Sequence, residues 1–191
     1  MHICIYGASS TKTDSKYIDK IESLGKALAA SGHSLVFGGG ANGLMGASAR
    51  GFTQGKGHIK GIVPHFFNVD GILYDKCDEL IRTNTMRERK QIMEDSSDAF
   101  IVTPGGAGTF DEFFEIYTLK QLGRHQKPII IYNIFGYYDK LLEFLQVSVK
   151  ENFISPNSLS LFKIIDNEKE VLDYLACYKE DNLSLSDTKY I

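Results

Sequence analysis

The residues of this 191-residue chain best suited to chemistry are a glutamate beside a run of glycines and an arginine some twenty positions before it. Pro104-Gly105-Gly106-Ala107-Gly108-Thr109 leads to Glu112. Ala99 to Val102 is a short apolar run with β-branched residues, the pattern of a buried parallel strand, and helical spacing begins at Thr109. Pro104 ends the strand, and Gly105, Gly106 and Gly108 let the backbone pass close to a ligand. A strand, a glycine turn and a helix start aim free backbone N–H groups at one point, which favours an anion, with phosphate the leading candidate. Glu112 has two readings. It is a carboxylate beside a phosphate site, or, as the last residue of Thr109-Phe110-Asp111-Glu112, the glutamate of a capping box that serves the helix alone.

The arginine is Arg89. Asn84 to Ser96 is predicted to be a helix opened by Thr85, with Glu88 three residues on. Met86, Arg89 and Met93 share one face, while Arg87, Glu88, Gln91, Glu94 and Asp95 mostly take the other. Arg89 therefore points inward and needs an anionic partner, for which Glu112 and Asp111 are candidates. Lys90, on the flank, is open to either solvation or ligand contact.

The elements that must position these groups alternate along the chain. Strands are predicted at His2–Tyr6, Ser34–Phe37, Ile59–Val63, Glu79–Ile81, Ala99–Val102, Lys127–Tyr132 and Phe162–Ile165. Helices are predicted at Ser15–Ala30, from the glycine turn to about Gln54, at Asn84–Ser96, from Thr109, at Tyr138–Lys150 and at Glu168–Tyr178. This order indicates an α/β fold, a Rossmann-like doubly wound parallel sheet with helices on both faces. Residues 1–178 read as one domain. Residues 179–191 are polar and without periodicity, and are expected to be a disordered tail. Phe66 to Lys76 reads as irregular.

Gly38, Gly40 and Gly43 satisfy G-x-G-x-x-G after a strand. A dinucleotide site also needs an acidic residue roughly 20 positions on, and Pro64-His65-Phe66 stands there instead. A lone match of this kind is weak, and tight helix-on-strand packing explains such glycines at least as often. No G-x-x-x-x-G-K-[ST] is present, so a monophosphate fits better than a triphosphate with magnesium. A formal net charge of -3 with scattered basic residues disfavours nucleic acid as a partner. Cys4, Cys77 and Cys177 form no C-x-x-C, and the five histidines are not paired at ligand spacing, so no metal and no disulfide framework are expected. Without a leader-like start or an apolar run near the roughly 18 residues of a membrane span, a cytoplasmic protein without membrane attachment is expected.

Pro104 to Glu112, read as Pro-Gly-Gly-x-Gly-Thr-x-x-Glu and preceded by Met86-Arg87-Glu88-Arg89-Lys90, resembles the signature of the LOG family. These are the cytokinin riboside 5'-monophosphate phosphoribohydrolases, long mislabelled as lysine decarboxylases. The resemblance runs from Ile3 to about Tyr138 and takes in Gly38-Gly39-Gly40 to Gly46 and Gln121-Leu122-Gly123 to Pro128. It implies a homodimer that takes a nucleoside monophosphate, needs no cofactor, and releases free base and ribose 5-phosphate. Glu112 falls on the family's catalytic glutamate and Arg89 on the arginine paired with it. Gly105, Gly106, Ala107, Gly108 and Thr109, with Ser9, Gly38 and Gly39, fall on the phosphate side. Met86 and Thr118 fall on the base side, while Lys90, the last residue of the Met86–Lys90 word, stays open between solvation and substrate contact. The chain departs from the family at Gly71, where relatives carry a substrate-contacting glutamate; Asp70 is its acidic neighbour. A non-catalytic nucleotide or cofactor carrier on the same fold is the rival reading. Nothing marks a pyridoxal-phosphate lysine.

Overall fold

The computed structural model describes residues 1–67, 71–180 and 185–189. Its sheet is built from β1 (His2–Tyr6), β2 (Ser34–Phe37), β3 (Ile59–Pro64), β4 (Glu79–Thr83), β5 (Ala99–Val102), β6 (Ile129–Tyr132) and β7 (Lys163–Ile165). The strand order is β4-β3-β2-β1-β5-β6-β7, and every neighbouring pair is parallel. Helices α1 (Ser15–Ala30), α2 (Gly43–Gln54), α3 (Met86–Asp95), α4 (Ala107–Gln121), α5 (Asp139–Lys150), α6 (Glu168–Cys177) and α7 (Leu185–Thr188) complete it.

The two-residue period of the strands explains how one sheet serves two cores. Ile3 and Ile5 of β1, Ala99 and Ile101 of β5, and Ile130 and Tyr132 of β6 face one layer, where Leu24 and Leu28 of α1, Phe52 of α2 and Leu175 of α6 meet them. Cys4, Tyr6, Phe100, Val102, Ile129 and Ile131 face the other, against Met93 of α3, Phe113 and Tyr117 of α4, and Leu145 of α5. Strands buried on both faces read as unbroken apolar runs. The chain winds outward from β1 to β4, then crosses to the other side of β1 for β5 to β7. The winding reverses between β1 and β5, and ligands of open α/β sheets bind at the carboxyl ends of such a pair.

Helix α4 begins at Ala107, two residues before the start that spacing predicts, because Gly106 in an extended conformation forms its N-cap. Gly108 in the first turn, a weak helix former, hides that start from a propensity argument. The Thr85 cap of α3 is present: its hydroxyl accepts from the Glu88 N–H at 3.1 Å, and Glu88 Oε2 accepts from the Asn84 N–H at 2.7 Å. The C-terminal stretch differs from expectation over residues 185–189. There Thr188 is buried, its carbonyl accepts from Gln121 Nε2 at 3.0 Å and Ser158 Oγ at 2.7 Å, and its hydroxyl donates to the Gln121 carbonyl at 2.9 Å. Polar contacts hold this segment, and hydrophobic periodicity carries no trace of them.

Behind α4, His125 donates from Nε2 to the Ile116 carbonyl at 2.8 Å and accepts from the Lys127 N–H at Nδ1, 3.2 Å away. Burial lowers its pKa from 6.5 to about 4. The fold therefore holds a neutral imidazole, and its contribution is complete above pH 6.5 and lost as pH falls towards 4. We expect acid to cost on the order of 2 kcal/mol through this group. Thermal unfolding of wild type and His125→Gln between pH 7 and 4 checks this: the variant should lose the corresponding part of the pH slope.

Candidate active site

A cavity of about 450 Å³ opens at the carboxyl ends of β1, β2, β3 and β5. One end is formed by Gly7–Ser10, the turn after β1, and by Gly106–Thr109 at the start of α4. The other is apolar, with Val63 from the end of β3, Phe67, Ile72 and Leu73 from the β3–β4 connection, and Met86 from α3. Arg89 and Glu112 line it as well. From β5 to β3 are three interstrand spacings, about 14 Å in all.

Arg89 links β3 to α4 beside this space. Its Nε donates to the Ile62 carbonyl of β3 at 3.1 Å, and its Nη1 donates to Glu112 Oε1 of α4 at 2.9 Å. The two residues are 5% and 7% exposed, so neither charge is tolerable without the other. Among the described residues Arg89 is the one hydrogen-bond partner of the Glu112 carboxylate, and Glu112 also lines the cavity. Burial raises the Glu112 pKa above the ordinary carboxylate value, with Arg89 opposing the rise. The capping-box reading of Glu112 is corrected here: α4 starts at Ala107, which puts Glu112 in its second turn with its carboxylate on Arg89 rather than on a helix terminus.

Gly38 makes room for this pair. A Cβ there would sit 2.0 Å from Arg89 Nη2, so any side chain displaces the guanidinium. Gly38→Ala is expected to fold and to lose about 10²-fold in kcat/KM, the scale of a misplacement near 1 Å in a catalytic group. Steady-state rates beside circular dichroism test this. Gly43 is needed for another reason, since its φ is +58° and a Cβ would lie 2.4 Å from the Ala8 carbonyl oxygen. The three glycines of the G-x-G-x-x-G spacing thus serve different neighbours: Gly38 the Arg89 guanidinium, Gly40 the Met45 side chain, and Gly43 the turn after β1.

The amide end is a helix N-terminus. Phe110 N–H makes the first α4 bond, to the Gly106 carbonyl at 3.0 Å, and Gly106 offers no side chain to cap the turn before it. Ala107, Gly108 and Thr109 contribute the orphan N–H groups of that first turn, beside Ser9 and Ser10. Helix dipole and amides both favour an anion here.

Of the residues singled out from sequence, Ser9, Gly38, Met86, Arg89, Gly106, Ala107, Gly108, Thr109 and Glu112 meet around the cavity. Gly39, Lys90, Gly105 and Thr118 lie outside its walls. Lys90 bridges α3 to α4 through Asp111 and Glu115, both at 2.9 Å; burial pulls its pKa down, but hydrogen bonds to Glu115 and Asp111 outweigh that and raise it. Thr118 is on the exposed face of α4. Gly39 packs on Val63, which a Cβ would meet at 2.2 Å. Gly105 directly precedes the lining residues. Asp70 lies outside the described residues, and Gly71 is an exposed turn residue. The wall residues Val63, Phe67, Ile72 and Leu73 were not predicted; adjacent aromatics at Phe66-Phe67 in an irregular segment were their one signal. Among the described residues no group of three or more His, Cys, Asp or Glu could hold a metal ion.

A parallel doubly wound sheet, an anion-binding helix start at its reversal point and a buried carboxylate–guanidinium pair beside it define a Rossmann-like protein of nucleotide-site type. The comparisons with known proteins are narrower. A family model described as possible lysine decarboxylase matches residues 45–175. The probable cytokinin riboside 5'-monophosphate phosphoribohydrolase of Oryza sativa subsp. japonica is 37% identical over 175 residues, 92% of this chain and 83% of that one. The cytokinin riboside 5'-monophosphate phosphoribohydrolase of Mycobacterium tuberculosis is 39% identical over 170 residues, 89% of this chain and 90% of that one. This chain belongs to that family, the LOG proteins. In fold it also matches the molybdenum cofactor carrier protein of Chlamydomonas reinhardtii, with a TM-score of 0.67 at 20% identity, covering 92% of this chain and 95% of that one.

Proposed function

We propose that the chain hydrolyses the N-glycosidic bond of adenine-type nucleoside 5'-monophosphates, AMP or N6-modified cytokinin nucleotides, to free base and ribose 5-phosphate. One observation carries this: the buried Arg89–Glu112 pair lies in a cavity with phosphate-suited amides at one end and an apolar wall at the other. A 5'-phosphate on the Gly106–Thr109 amides and a base against Phe67, Ile72 and Met86 bring the ribose C1' over Glu112. Cleavage develops positive charge on the sugar, which a carboxylate there stabilises. Glu112 also orients the attacking water and accepts its proton; the hydroxyl goes to C1', the bonding electron pair goes to the base nitrogen, and a proton from solvent completes the free base as Glu112 returns its own proton to water. Arg89 keeps Glu112 ionised and aimed. Phosphate binding, remote from the bond that breaks, supplies energy to fix the sugar.

The apolar wall favours a substrate whose adenine carries an apolar N6 group, since burying about two methylenes more is worth roughly 1.6 kcal/mol. Chromatography of base released from AMP and from N6-isopentenyl-AMP tests both parts. The proposal expects release from both, with kcat/KM about tenfold higher for the prenylated nucleotide. Saturable binding without release would instead support a carrier.

We infer further that the protein is a cytoplasmic homodimer. Phe114 on α4 and Leu122 at its C-cap are exposed, with Thr118 midway between them, an outward stripe suited to a homodimer. The free thiols Cys4, Cys77 and Cys177 suit a reducing compartment such as the cytoplasm. Among the described residues no helix is long and apolar enough to cross a membrane.

A further inference from the structure

We infer that Tyr137 is a positioning residue for the anion-binding amides, acting through the Gly105 carbonyl; the inference rests on the nucleotide-site reading above. Three consecutive carbonyls of the loop between β5 and α4 are each held by a donor from outside it. The Thr103 carbonyl accepts from Tyr138 Oη at 2.7 Å, the Pro104 carbonyl from the Ala8 N–H at 3.0 Å, and the Gly105 carbonyl from Tyr137 Oη at 2.7 Å. In a trans peptide the C=O of one residue and the N–H of the next point in opposite directions. Fixing the Gly105 carbonyl therefore fixes the Gly106 N–H, and Gly106 is both the N-cap of α4 and part of the cavity wall. Gly105 and Gly106 have no side chains to resist rotation of that peptide, so its orientation depends on the hydrogen bonds its own groups make.

The segment that carries Tyr137 is itself held in an uncommon conformation. Phe135 has a φ of 56° and Gly136 one of 68°, a left-handed pair in which a phenylalanine is disfavoured. Asn133 ties the segment down: its Oδ1 accepts from the Tyr138 N–H and its Nδ2 donates to Asp139 Oδ1, both at 2.7 Å. Tyr17 of α1 packs edge-on against both Phe135 and Tyr137, with ring centroids 5.1 and 6.3 Å away. The turn after β6 thus presents one hydroxyl to one carbonyl of the glycine loop. Tyr137 is 44% exposed, so that hydroxyl contributes little to the core.

Tyr137→Phe removes the hydroxyl and keeps the ring on Tyr17. Titration calorimetry with ribose 5-phosphate and with adenosine reads the two ends of the site separately. Loss of one neutral hydrogen bond predicts a ribose 5-phosphate Kd raised about five- to tenfold, with the adenosine Kd changed less than about twofold. The KM for AMP should rise by the same factor with kcat nearly constant, as for lost uniform binding. Unchanged ribose 5-phosphate affinity, equal weakening of both ligands, or no ribose 5-phosphate binding by the wild type would overturn the inference. Base release by the wild type decides the hydrolase reading independently. Tyr137-dependent binding without any base release would remove the hydrolase and leave the positioning role in place.

Discussion

Glu112→Gln is expected to lower kcat by roughly three orders of magnitude or more while nucleotide affinity stays within a few fold. The substitution is nearly isosteric, and Arg89 Nη1 still finds an oxygen acceptor in place of Oε1, 2.9 Å away in the wild type. What disappears is the negative charge facing the sugar and the base that takes the water's proton. A structural role predicts the opposite pattern, with stability lost and rates preserved in the surviving folded fraction. The wild type adds a second signature. Glu112 must be ionised to act, and burial raises its pKa above the ordinary value; the acidic limb of the kcat/KM profile should therefore fall above the range of an exposed glutamate. Rates across pH, beside calorimetric titration of the variant, measure both.

Arg89→Met is expected to damage stability and activity together. It leaves a carboxylate that is 7% exposed without its cation, and breaking a buried pair from one side costs about 3–5 kcal/mol. Part of that cost is avoided if Glu112 takes up a proton, because the interaction opposing the effect of its burial is gone. The acidic limb should then move to higher pH, with activity partly regained in alkali. Combining Arg89→Met with Glu112→Gln removes the unpaired charge, so the double variant should recover much of the stability and none of the activity. Denaturant melts of the four proteins give the coupling directly. A double variant no more stable than Arg89→Met would show that the unpaired carboxylate is not the source of the lost stability.

The sheet was legible because its strands are unbroken apolar runs between glycine-marked turns, and every predicted strand is present to within a few residues. Arg89 was legible as well, since a charged residue on the apolar stripe of an otherwise polar helix must find an anion. Spacing alone left Glu112 undecided between a cap and a ligand. The capping reading fails because α4 begins two residues earlier, at Ala107, and the glycines around that start obscure it. Lys90 shows the converse limit: its neighbours Asp111 and Glu115 belong to another helix, and no local pattern shows that a lysine is already neutralised. The apolar wall was hidden because Phe67, Ile72 and Leu73 lie in a segment without periodicity, where shape comes from tertiary contact. The docking of residues 185–189 was hidden for the same reason, since backbone carbonyls hold it.

The most direct test of the account is to incubate the wild type and Glu112→Gln side by side with N6-isopentenyl-AMP and to quantify free base and ribose 5-phosphate together. Equimolar base and ribose 5-phosphate from the wild type, with neither from the variant although it still binds the nucleotide, is the result the account predicts. Undiminished base release by the variant, or a wild type that binds the nucleotide and releases nothing, would contradict it.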